Sequence, residues 1–118
     1  MSSSYLFENR SQLDTAVDLW VSNQTSAINI YGDINTWDVS QITDFSSLFE
    51  DEDTFNSDIS NWNVSNGIFF NSMFEGATEF NQDIGRWDVS KGTNFLDMFA
   101  IASAFNQDIG SWKVSNLS

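Results

Sequence analysis

The sequence contains no cysteine and no histidine. Without cysteine there is no disulfide framework, and nothing tells the redox compartment. Losing both residues also removes the usual zinc ligands and the commonest general base. Basic residues are scarce too: four Lys and Arg stand against 17 Asp and Glu, a formal charge of −13. Residues 1–55 carry ten of the acids and only one base. Neutralising phosphate takes clustered Lys and Arg, so this balance argues against nucleic acid as a partner. A basic protein, a cation or a solvated surface remains to account for it. Long apolar runs are missing as well. The N-terminal "MSSSYLFENRS" has no signal-peptide core, and no stretch approaches a membrane span.

Aromatic residues are plentiful by contrast, 15% of 118 residues, and almost all of them follow one period. Self-comparison at a lag of 25 yields "YGDINTWDVSQITDFSSLFEDEDTF" (31–55), "NSDISNWNVSNGIFFNSMFEGATEF" (56–80), "NQDIGRWDVSKGTNFLDMFAIASAF" (81–105) and a shorter "NQDIGSWKVSNLS" (106–118). Columns recur at Trp37, Trp62, Trp87 and Trp112, at Val39, Val64, Val89 and Val114, and at Ile34, Ile59, Ile84 and Ile109. Phe columns stand at 45, 70 and 95, at 49, 74 and 99, and at 55, 80 and 105. A unit of this length is too small to bury its own apolar face, so stacked units must share one core.

Within a unit, Trp62 and Val64 have the same-face spacing of a strand, with Asn63 pointing away. Phe70, Met73 and Phe74 have the i, i+3, i+4 spacing of one helical turn. The expected fold is an α/β solenoid, each coil a short strand, a turn, a short helix and a return. Ile42 is replaced by Gly67 and Gly92 in the next two coils. These glycines supply either a left-handed turn or room for Phe70 and Phe95. Ahead of the repeats, residues 1–30 form a segment in which Leu13, Ala16, Val17, Trp20 and Val21 trace one face of an amphipathic helix. Ser11 and Asp14 read as its capping box. That helix is expected to cover the first coil, making one domain overall.

"FNQDIGRWDVS" followed by "LDMF"-like turns resembles the BspA-like bacterial surface-protein repeat, a leucine-rich-repeat-like family described among mycoplasma lipoproteins as a domain of unknown function. The resemblance runs from about Ser11 to the end. It implies a leucine-rich-repeat-like fold, a surface-exposed or secreted setting, a binding or adhesion role and no catalytic motif. The sequence departs from that family at Gly67 and Gly92, where Val or Ile is usual, and at Phe45, Phe70 and Phe95, where Met is usual.

Three features are candidates for function. Asp33, Asp58, Asp83 and Asp108 form a column of like charges that must be offset. Each carboxylate either accepts N–H bonds from its own turn or helps hold calcium between coils. Asn56, Asn81 and Asn106 are expected to form an amide ladder beside it. Glu50, Asp51, Glu52 and Asp53 are the densest acidic run, either a solvated loop or a docking patch for a basic partner. At the other end, Trp112, Val114 and Leu117 belong to a final coil with no following unit. They are expected to contact a protein partner or a second copy, with Lys113 as an edge-strand charge. Enzyme activity is not expected. The leading function is a non-enzymatic interaction or adhesion module. The alternatives are a calcium-dependent, carbohydrate-recognising surface domain and a self-assembling structural protein.

Overall fold

The computed structural model describes residues 4–112. Helix α1 spans Arg10–Ser22 and helix α2 spans Gln24–Tyr31; a single 3-10 turn, Ile34–Thr36, follows. Beyond it the described chain runs as turns and extended pieces. Its only pairings of strand type are isolated parallel bridges, Leu6 with Asp38, Asp44 with Phe69 and Phe69 with Asn94. The α/β, leucine-rich-repeat-like solenoid of strand-plus-helix coils is therefore not what this chain forms.

The reason lies in where backbone amides go. Over the segment expected to be helical, every second N–H leaves its own coil. Phe45, Ser47, Phe49 and Asp51 donate to the carbonyls of Phe69, Asn71, Met73 and Glu75 at 2.7–2.9 Å. Phe70, Ser72, Phe74 and Gly76 donate in the same way to Asn94, Leu96, Met98 and Ala100. The intervening amides close four-residue turns within the coil: Leu48 to Phe45, Glu50 to Ser47 and Glu52 to Phe49. Alternate turns of the run, 45–48 and 49–52 in the first coil, carry a left-handed residue at their third position, as type II turns do. Ser47, Asp51, Ser72, Gly76, Asp97 and Ile101 all have φ between 57° and 74°. A right-handed helix cannot contain such residues. The run of turns still returns residues i and i+4 to one side, so Phe70 and Phe74 are buried as expected.

The strand fails for a related reason. Trp62 and Val64 do face inward, at 3% and 1% exposure, and Asn63 faces out. Turns close on both sides of them, Trp62 N–H on the Ile59 carbonyl and Gly67 N–H on the Val64 carbonyl. Three extended residues between turns are too few for a ladder.

What unites the coils is their rings. Phe45, Phe70 and Phe95 stack at 5.4 and 5.3 Å, Phe49, Phe74 and Phe99 at 5.6 Å, and Phe55, Phe80 and Phe105 at 5.8 and 5.9 Å. Trp37 stacks on Trp62, and Trp87 on Trp112. Each later indole N–H donates to an Ile carbonyl in the coil before it: Trp62 to Ile34, Trp87 to Ile59 and Trp112 to Ile84. A buried indole donor is thus satisfied only by its neighbour. Burying rings of this size contributes on the order of 2–3 kcal/mol each.

Helix α1 buries Leu13, Ala16, Val17 and Trp20. Val21, expected on the same face, is 37% exposed. The helix starts earlier than Ser11: Asn9 caps it by accepting the Gln12 N–H, and the Gln12 side chain accepts the Glu8 N–H. Asp14 pairs instead with Arg10, whose guanidinium also donates to the Asp44 carbonyl of the first coil. Trp20 ties the other end of α1 down through Ser57. Two elements were not expected. Helix α2 runs into Tyr31, the first residue of the repeat as delimited by periodicity. The segment Tyr5–Phe7 lies against Asp38, exchanging the bonds Phe7 N–H to Asp38 and Asp38 N–H to Tyr5. Phe7 is fully buried there.

Gly67 and Gly92 are explained by space. Neither has a left-handed backbone, and a Cβ at either would lie 2.4 Å from Cζ of Phe70 or Phe95. In the second and third coils the glycine and the Phe that fills its space are therefore one exchange of volume, whereas the first coil buries both Ile42 and Phe45. Gly67→Val alone should cost roughly 1–3 kcal/mol by overpacking. Gly67→Val with Phe70→Met should recover most of it in a urea-denaturation double-mutant cycle; additive losses would contradict the exchange. At position 101 a β-branched residue holds φ at 60° where the second coil has Gly76. The left-handed form costs a non-glycine residue about 1–2 kcal/mol, and glycine's extra unfolded freedom costs about 0.5–1. Ile101→Gly should accordingly raise stability by up to roughly 1 kcal/mol, seen as a higher urea midpoint at unchanged slope.

Candidate functional site

The aspartate column is held turn by turn. Oδ1 of Asp33 accepts the N–H of Asn35, and Asp58, Asp83 and Asp108 accept those of Ser60, Gly85 and Gly110, at 2.8–3.0 Å. All four side chains are exposed. The Ser60 bonds hold the Asp58 carboxyl below its ordinary range. Among the described residues, no three acidic groups converge where a metal ion would sit. Asn56 and Asn81 form the expected ladder, each side-chain oxygen accepting the backbone N–H of the Asn one coil on. Gln82 and Gln107 add a second bond to the same oxygens.

The acidic run is less of a loop than its composition suggests. Asp51 N–H is a rung of the coil-to-coil ladder and Glu52 N–H closes a turn on Phe49. Glu50, Asp51 and Asp53 are exposed, and Glu52 is half-buried. Burial raises the Glu52 pKa, aided by repulsion from Asp18 on α1 and from Asp53 and Asp51.

At the opposite end the ladder stops. Phe95, Asp97, Phe99 and Ile101 occupy the positions of Phe70, Ser72, Phe74 and Gly76. Their N–H groups have no acceptor among the described residues. The rings behave likewise: Phe70, Phe74 and Phe80 are fully buried, whereas Phe95, Phe99 and Phe105 are only partly covered. An apolar groove of about 440 Å³ opens here, lined chiefly by Phe95, Met98, Phe99, Ile109 and Trp112. Trp112, one of the expected contact residues, lines this groove. Val114 and Leu117, and Lys113 with them, lie outside the described residues.

The rim of this end was not anticipated. Leu96, 69% exposed, stands where earlier coils have Ser46 and Asn71. Ile101, 73% exposed, stands where they have Asp51 and Gly76. The turn after it reads "AIASA" against "EDEDT" in the first coil. Comparing the coils position by position as polar or apolar would have found both. A larger groove, about 760 Å³, lies at the far end beside Tyr5, Leu6, Ile30 and Tyr31.

A family model described as "Mycoplasma protein of unknown function, DUF285" matches residues 21–118. The chain belongs to this family. Membership covers all the coils and α2, and assigns no activity to any residue. No curated protein and no solved structure matches the chain. Among the described residues, no helix is long and apolar enough to cross a membrane.

The electrostatics of the acidic run can be tested through pH. A carboxyl whose folded pKa is raised destabilises the fold once it is ionised. Its penalty is absent below the ordinary glutamate value of 4.5 and grows as pH rises through the higher folded value. Glu52→Gln should therefore stabilise the protein at pH 7, and the gain should vanish near pH 4. Thermal melts of both proteins across that range check it; an equal gain at both ends would contradict this origin.

Proposed function

We propose that this member of the DUF285 family is a non-enzymatic protein-interaction module and that its contact surface is the open end of the third coil. One observation carries the reading: columns fully buried in the second coil are half-covered in the third, while the rim around them changes from polar to apolar. Monomeric surfaces seldom group exposed apolar side chains around a groove without using it. The BspA-like resemblance supports the same reading, since that family is associated with binding and adhesion at surfaces. The acidic run is the weaker candidate. It coincides with the packed first coil, and surface charge of one sign serves solubility as readily as docking.

Peptides selected from a random displayed library against the immobilised full chain test the surface. Leu96→Glu changes an exposed side chain, so the fold is kept. It should weaken the selected peptides at least about tenfold, or 1.4 kcal/mol, whereas Leu6→Glu at the far groove should leave them unchanged. Peptides indifferent to Leu96→Glu but lost on neutralising Glu50 and Asp53 would move the site to the acidic run.

A further inference from the structure

We propose that the open end of the third coil docks a further coil of the same turn-built repeat, presented carbonyl edge first. The inference rests on the interaction surface proposed above and names its occupant. The interior of the molecule shows what such a surface accepts. The second coil meets the first by offering four carbonyls in alternation, those of Phe69, Asn71, Met73 and Glu75. Between them it places Phe70 and Phe74 on Phe45 and Phe49. The third coil leaves the matching half open: four alternate N–H groups at 95, 97, 99 and 101, and the faces of Phe95 and Phe99.

Direction is what selects the partner. From 45 to 51 and from 70 to 76 every rung runs one way, donor on the earlier coil and acceptor on the later one. The sense reverses outside this run, where Ile68 and Phe69 N–H groups donate back to Thr43, Thr93 to Ile68 and Ala104 to Thr78. An extended strand presents donors and acceptors alternately along one edge, so strand addition would set half of its groups against like groups. A helix frees carbonyls only at its C-terminal turn. A run of consecutive turns, as built here, offers acceptors alone along its leading edge.

The same argument removes a second copy of this chain. A two-fold contact between open ends places each surface against itself, N–H facing N–H. A head-to-tail contact needs the leading carbonyls of the first coil. There Arg10 holds the Asp44 carbonyl at 3.1 Å, and α1 is pinned alongside through Trp20 and Ser57. The occupant is a coil without such a helix in front of it. Charge suits an uncharged coil: the "AIASA" turn has no acid, and Asp97 lines the groove.

The test uses isotope-labelled full chain and a synthetic peptide with the sequence of residues 56–80. Amide hydrogen exchange is read by NMR. In the free chain Met98, Ala100 and Ala102 already donate within their turns, so the free amides alternate with bonded ones. Saturating peptide should slow exchange at Phe95, Asp97, Phe99 and Ile101 at least about tenfold and leave the amides between them unchanged. No slowing at these four would overturn the proposal, as would equal slowing by a scrambled peptide. Slowing that grows with the concentration of the chain alone would identify a second copy as the occupant and overturn it too. If library peptides bind through Leu96 while the repeat peptide does not, the interaction surface stands and this occupant is wrong.

Discussion

A single hydrogen-bonding rule organises the molecule: through the aromatic half of each coil, alternate amides serve the coil itself and the coil that follows. Everything else in that region is a consequence. Alternation forbids the continuous i to i−4 pattern of a helix, because half the donors point along the stack. It demands left-handed residues at regular places, since only successive turns aim amides in this way. It also keeps both rings of the Phe pair inside, at 0% exposure in the first two coils, where they stack on their equivalents. Because the rungs share a direction, the stack has unlike ends. One has acceptors and is covered by α1; the other has donors and is bare.

The period, the columns and the inward faces of Trp62, Val64, Phe70 and Phe74 were legible in the sequence, because burial leaves its mark on residue type. The backbone path between them was not. Spacing of i, i+3 and i+4 describes a helical turn and a pair of β-turns equally well. Glycine would have betrayed the left-handed positions, but only Gly76 among six is glycine. Ser47, Asp51, Ser72, Asp97 and Ile101 conceal the rest. Helix α2 was hidden for another reason: "QTSAINIY" is rich in β-branched residues and buries only Ala27, so neither propensity nor amphipathicity announces it. The cap at Asn9 and Gln12 lost out to the more familiar Ser–x–x–Asp spacing two residues later.

The candidate sites divide in a similar way. The Asp column was readable as a set of local turns, since Asx bonding depends only on the residue and its next two neighbours. The open end was suspected from the broken period, but its apolar rim at Leu96 and Ile101 emerged only when those residues were placed at outward positions. Polarity runs along the whole stack: carboxylates gather where α1 packs, and uncharged side chains gather where the ladder is unfinished. Membership in a family of unknown function adds kinship to this picture and assigns no chemistry.

The indoles of Trp62, Trp87 and Trp112 all reach backwards, each for an Ile carbonyl 28 residues earlier. Only the first coil satisfies its own tryptophan, Trp37 donating to the Gly32 carbonyl; each later indole takes its acceptor from the layer before it. Backbone rungs run the other way, from the amides of one layer to the carbonyls of the next, so each pair of neighbours is tied in both directions and the layers are stable together rather than singly.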